Sequence, residues 1–197
     1  MPRVGVGSWD LRHAFELMAD EVARLIEHDC AVFLTYHRDR RALMLEAIAP
    51  IGGTKLTRGM QVPADGPLPD LLNGSLSAAV CMDTANSCCT FECQLYEVGL
   101  KSCITIPLLV DNRLVGILSL ASQERSSFQS SDRGALYRLQ RPLAVALQHV
   151  LSNEQQNTPH FFERSSELEH MRSVHELSGS IAHRLNNVFA SVLGNAR

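Results

Sequence analysis

The stretch SCITIPLLVDNRLVGILSLA, residues 102–121, holds two apolar runs separated by a polar turn. Ser102 to Val110 and Leu114 to Ala121 are rich in Ile, Leu and Val, side chains that suit a pleated, buried surface. The turn between them is Asp111-Asn112-Arg113. This reads as a β-hairpin whose strands are largely buried. A hairpin of the same kind lies upstream, where CAVFLTYH (30–37) and ALMLEAIA (42–49) flank the polar turn RDRR (38–41).

Outside these hairpins the apolar period changes to that of helices. Leu11, Phe15, Met18, Val22, Leu25 and Ile26 predict an amphipathic helix over residues 8–28. Residues 50–75 are dense in Gly and Pro and predict a long connection over the sheet, with a short helix near Leu68 to Leu72. Ala78 to Met82 fits a short strand, and Phe91 to Val98 a helix stopped by Gly99. Phe128 and Ser130 to Asp132 introduce a long helix carrying Leu136, Leu139, Leu143, Ala146 and Val150. Pro142 lies inside it and predicts a kink. The polar residues Asn153 to Asn157 predict its interruption, and Thr158-Pro159 the start of a last helix.

In that last helix Ile181, Leu185, Val188 and Val192 line one face, while His183 and Asn187, four apart, project from the opposite one. Imidazole is a competent nucleophile near neutral pH. The seam Val174, Leu177, Ile181, Leu185, Val188 and Val192 predicts a homodimer through the helices.

Composition narrows the class. The 197 residues are 45% hydrophobic, enough for one compact domain with an appendage. The formal charge is −3, and no basic run interleaves with aromatics, so nucleic acid is not an expected partner. No run of 18 apolar residues predicts a membrane span. The first residues carry no signal-peptide core, so the six cysteines are expected as reduced thiols of a cytoplasmic protein.

Ile106-Pro107-Leu108, Asp111 to Leu120 and Phe128 before the long helix resemble a GAF domain. The likeness runs over residues 10–150. It implies an α+β fold, with a central antiparallel sheet of about six strands flanked by helices and any ligand pocket between the sheet and the crossover segments. Residues 171–195, MRSVHELSGSIAHRLNNVFASVLGN, resemble the phosphoacceptor segment of bacterial two-component sensor histidine kinases. The two likenesses divide the chain into a sensory domain (8–152), a linker (153–164) and the start of a dimerisation and phosphoacceptor helix (165–197), the long C-terminal helix.

The second resemblance implies that His183 takes a phosphoryl group from ATP and passes it to a response-regulator receiver domain. It implies that Asn187 orients water for the reverse, phosphatase reaction. Arg184 stands where the family usually carries a carboxylate that accepts a hydrogen bond from the imidazole, and arginine has no acceptor. ATP would be handled by a separate or missing catalytic domain, so this chain is expected to hold no cofactor of its own. The alternative is a non-catalytic adaptor or dimerisation module that binds a response regulator or another kinase.

The GAF likeness also raises small-molecule ligands, bilin pigments among them. Cys89 and Cys93 are the candidate attachment positions, although Thr90 follows Cys89 where the pigment-binding pattern has His. The wider group, Cys81, Cys88, Cys89, Cys93 and Cys103, could sense oxidants or hold soft metals. It lacks the C-x2-C pairs of metal knuckles, so no metal site is expected. The plainer reading makes Cys30, Cys81 and Cys103 small hydrophobes on strands. No Gly-rich phosphate loop occurs.

Overall fold

The computed structural model describes residues 8–37, 39–40, 42–49 and 56–156. The elements are α1 (Ser8–Ala23), β1 (Cys30–His37), β2 (Ala42–Ala49), β3 (Gln61–Pro63), α2 (Leu68–Leu72), β4 (Ala79–Cys81), a 3-10 turn (Thr84–Asn86), α3 (Thr90–Glu97), β5 (Ser102–Val110), β6 (Arg113–Ser122) and α4 (Ser130–Gln156). The six strands form one sheet in the order β3-β2-β1-β6-β5-β4, and every neighbouring pair is antiparallel. The two hairpins meet at β1 and β6, and the crossover between them supplies both edges. Those edge strands have three residues each, a length that gives other chains little to pair with.

β1 and β5 are apolar along most of their length because both faces of the sheet are covered. On one face Ala31, Phe33, Ile104, Ile106, Leu108, Leu118 and Leu120 pack beneath α1 and α4, through Leu11, Phe15, Met18, Leu139, Leu143 and Leu147. The Phe15 and Phe33 rings lie 6.1 Å apart, tilted by 31°. On the other face Val32, Leu34, Leu43, Leu45 and Ile117 meet Leu68, Leu71, Phe91 and Leu95 from α2 and α3. Each such buried side chain contributes about 1.5–3 kcal/mol over its exposed state.

β2 serves both cores by a device that its own alternation conceals. Phe33 pairs with Ala47 but Leu34 pairs with Leu45, so Glu46 is an extra residue opposite the break. A bulge of this kind reverses which side the following residues face. Leu43 and Leu45 therefore join the crossover core, and Ala47 and Ala49 the helical one. A second bulge leaves Val115 extra, between the pairs Leu108–Gly116 and Leu109–Leu114.

Some boundaries differ from the sequence reading. The first helix stops at Ala23 rather than 28. The amides of Leu25 and Ile26 both donate to the Val22 carbonyl, at 3.0 and 2.9 Å, as the chain leaves the helix. Ile26 remains buried, so the apolar pattern outlasts the helix that it marks. α4 runs on through Asn153 to Gln156, so the predicted interruption there is not found; a polar stretch does not by itself break a helix. It also passes through Pro142 as one continuous element. β3 and the 3-10 turn had no counterpart in the sequence reading. Pro63 closes β3 opposite Ala42 at the sheet edge, a place where proline's missing donor does least harm. His183, Arg184, Asn187 and the rest of 165–197 lie outside the described residues.

Candidate functional site: a cavity at the hairpin end of the sheet

A cavity of about 740 Å³ opens where β1 runs out and the β5–β6 turn projects. Thr35 and Tyr36 of β1 form its floor, with Leu109, Leu114 and Val115 of the hairpin. Leu72, Asn73 and Gly74, leaving α2, wall it from the crossover side. Asn112 and Arg113 complete the lining. It thus has sheet on one side and crossover on the other.

Local chemistry makes the walls. Asp111 and Asn112 both hold positive φ, 48° and 61°, as a two-residue turn that matches strand twist demands. Asn and Asp tolerate that region better than other non-glycine residues. Beyond α2, the Asn73 side-chain oxygen accepts from the Ser75 amide at 2.9 Å, and the Leu76 amide donates to the Asp70 carbonyl at 3.0 Å. On the floor, Thr35 Oγ1 donates to Glu46 Oε1 at 2.9 Å. Its oxygen lies 3.3 Å from His37 Nε2, which then acts as donor. Arg58 reaches the other Glu46 oxygen at 3.6 Å. The bulge that brings Glu46 to this position therefore also anchors the threonine that lines the cavity.

The lining mixes Leu and Val with the Tyr36 phenol, two amides and the Arg113 guanidinium. The volume falls in the range of about 300–1,000 Å³ typical of small-molecule sites. Such a surface can hold an apolar or planar body and pair a polar or anionic group with Arg113. A smaller cavity, about 410 Å³, lies on the helical face beside β5 and the start of α4, between Ser77, Ala78, Ile106, Arg133, Tyr137 and Gln140.

The cysteines lie elsewhere. Cys89 is the N-cap of α3 and is fully buried. Burial, ahead of the Glu92 charge, pushes its thiol up to about 12. Cys93 is exposed on the first turn of α3, its Sγ 3.5 Å from the Ser87 carbonyl. Neither lines the 740 Å³ cavity. Cys30, Cys81 and Cys103 sit on β1, β4 and β5, and burial with the Asp29 charge pushes the Cys30 thiol up to about 12. Among the described residues no group of three or more His, Cys, Asp or Glu is placed to hold a metal ion. None of the described helices is long and apolar enough to cross a membrane.

The α3 N-terminus is held by a clamp that sequence reasoning missed. Asp65, in the crossover, accepts from the Thr90 amide at 2.9 Å and from its hydroxyl at 2.5 Å. Burial opposes ionisation of Asp65, but the Thr90 and Cys89 hydrogen bonds outweigh it and hold its carboxyl below the usual range. Ser87 Oγ accepts from the Cys89 amide and donates to the buried Glu92. Thr35, Tyr36, Asn73 and Arg113 were missed too. They come from three separate segments, and only the Asp-Asn turn gave a local signal.

Comparison with known proteins agrees with this architecture. The GAF domain family model matches residues 10–147. No curated protein matches the sequence significantly. Among solved structures, the chain resembles the GAF domain of a two-component sensor histidine kinase from Bacillus halodurans, with 21% identity, TM-score 0.57, and 71% of this chain and 96% of that one covered. It resembles the blue-light absorbing form of the PixJ GAF domain from Thermosynechococcus elongatus, with 16% identity, TM-score 0.57 and coverage of 81% and 99%. It also resembles free methionine-R-sulfoxide reductase from Neisseria meningitidis, with 18% identity, TM-score 0.52 and coverage of 72% and 77%. At these identities the likeness establishes the fold.

Proposed function

The chain belongs to the GAF domain family, and from that premise we propose that it is the sensory and dimerisation portion of a two-component signalling protein. In this reading a small molecule occupies the hairpin-end cavity, and α4 carries the consequence toward His183. The observation that carries the kinase assignment is the motif in residues 171–195, with His183 and Asn187 four apart and Ile181, Leu185, Val188 and Val192 at spacings of four, three and four. The mechanical link is the β5–β6 hairpin. Its turn lines the cavity, while Gln140 of α4 donates to the Pro107 carbonyl of β5 at 2.5 Å. A shift of the hairpin on binding pulls on α4 at that bond.

His183 would attack the terminal phosphorus of ATP held by a separate catalytic domain, with ADP leaving. It would then pass the phosphoryl group to a receiver-domain aspartate. Asn187 would orient water for dephosphorylation. Arg184 supplies no acceptor for an imidazole proton, so the reaction lacks general-base help that is typically worth about 100-fold or more. Two copies would associate through the seam from Val174 to Val192.

The test is phosphoryl transfer in trans, using the full chain, a histidine-kinase catalytic domain and labelled ATP. The expected result is acid-labile label on His183, absent in His183→Gln and raised by about 100-fold in Arg184→Asp. Label that persists in His183→Gln rejects the reading. The second reading, a non-catalytic adaptor that binds a response regulator or another kinase, is favoured by Arg184. It predicts receiver-domain binding with no label in either the parent or Arg184→Asp.

A further inference from the structure

Cys81 is the last residue of the edge strand β4, and it stands directly opposite Cys103 in the β4–β5 ladder. Both side chains belong to the crossover core, Cys103 within it and Cys81 packed against it. Cys81 is half-buried and Cys103 is buried, so Cys81 is the more accessible of the pair. Directly opposed antiparallel residues have Cα atoms about 4.5–5.5 Å apart, inside the disulfide window of about 4.4–6.8 Å. Their Cβ atoms, about 4.5–5.5 Å apart, must approach to about 3.5–4.5 Å. β4 can make that movement, because it is three residues long and paired on one side only. β5, paired on both sides, stays in place.

We propose that Cys81 and Cys103 are a redox modification site, converted by a hydroperoxide into an intrachain disulfide that fastens edge strand β4 to β5. The Cys81 thiolate attacks the outer peroxide oxygen. The O–O bond breaks, Cys81 becomes a sulfenic acid, and the alkoxide or hydroxide leaves and takes up a proton. The Cys103 sulfur then attacks the Cys81 sulfur. The S–O bond breaks, the S–S bond forms, and the Cys103 proton departs with the hydroxyl as water. Two thiols lose two electrons to one peroxide. Cys103 is buried on a strand paired on both sides, and its thiol is pushed well above the usual range, whereas Cys81 is half-buried on an edge strand. Cys81 is therefore the sulfur that meets oxidant and Cys103 the one that resolves it. The bond closes a loop holding the 3-10 turn and α3, so oxidation stiffens the crossover around the helix that Asp65 clamps. This device is independent of whether His183 accepts phosphate.

The experiment uses the full chain and a second form with the exposed Cys88 and Cys93 changed to Ser. Each is treated with hydrogen peroxide, alkylated and mapped without reduction. A Cys81–Cys103 linked peptide is expected in both, with the intact mass lower by two hydrogens and restored by dithiothreitol. Cys81→Ser abolishes the linked peptide and leaves Cys103 a free thiol. Recovery of Cys81 as sulfinic acid beside an unlinked Cys103, or a disulfide joining other cysteines in its place, overturns the proposal.

Discussion

Gly116 sits where the β5–β6 bulge presses the chain against β1. A Cβ there would lie 2.5 Å from the Leu34 carbonyl oxygen and closer still to the Phe33 ring. Backbone on one side and a packed aromatic on the other leave nothing free to yield. Gly116→Ala is therefore expected to cost about 1–3 kcal/mol or more, read as a lower urea midpoint. Gly134, in α4, is the contrast. A Cβ there meets no atom within 4 Å, and alanine favours a helix over glycine by about 1 kcal/mol. Gly134→Ala should raise the same midpoint. The cysteines give a further residue-scale test. Cys88 and Cys93 are exposed, Cys81 is half-buried, and Cys30, Cys89 and Cys103 are buried. A maleimide reagent at neutral pH should modify Cys88 and Cys93 first and Cys81 more slowly. Modification of Cys30, Cys89 and Cys103 should wait for denaturant, and their early labelling in the folded chain would contradict the burial described.

The elements most open to sequence reading were those whose signal is local. Both hairpins, α2 and the start of α4 follow from apolar runs, turn residues and capping chemistry within about ten residues. The bulge at Glu46 did not, because Ala42–Ala49 is apolar apart from Glu46 itself, with no glycine or turn residue to mark a break, and the break exists only relative to β1. The cavity was hidden for the same reason, since its residues meet only after the sheet closes. The Asp65–Thr90 clamp spans 25 positions and joins the crossover to α3. Its carboxyl is held below the usual range, so it stabilises the fold above the ordinary carboxylate pKa of about 4. That contribution is lost as pH falls through the lower folded-state value. Asp65→Asn should lower the thermal midpoint at neutral pH, with the gap to the parent narrowing below about pH 4. A gap that stays constant across that range would show that charge has no part in the clamp.

At the scale of the whole molecule, the described GAF domain has one six-stranded sheet with a core on each face, and the proposed association through Val174 to Val192 concerns residues outside it. Under the proposed dimerisation, light scattering at about tens of micromolar should give a dimer. Placing charge in the seam with Ile181→Asp and Val188→Asp should then give a monomer whose GAF domain still unfolds cooperatively. In the proposed function the hairpin-end cavity is the sensing site. Native mass spectrometry of the chain, mixed with a metabolite extract and gently desalted, tests it most directly. One small molecule bound per subunit is expected in the parent. It should be absent from Leu114→Trp, which fills the cavity, while that variant keeps its thermal midpoint. A bound mass that persists unchanged in Leu114→Trp, or no bound molecule in the folded parent, would rule the cavity out as that site.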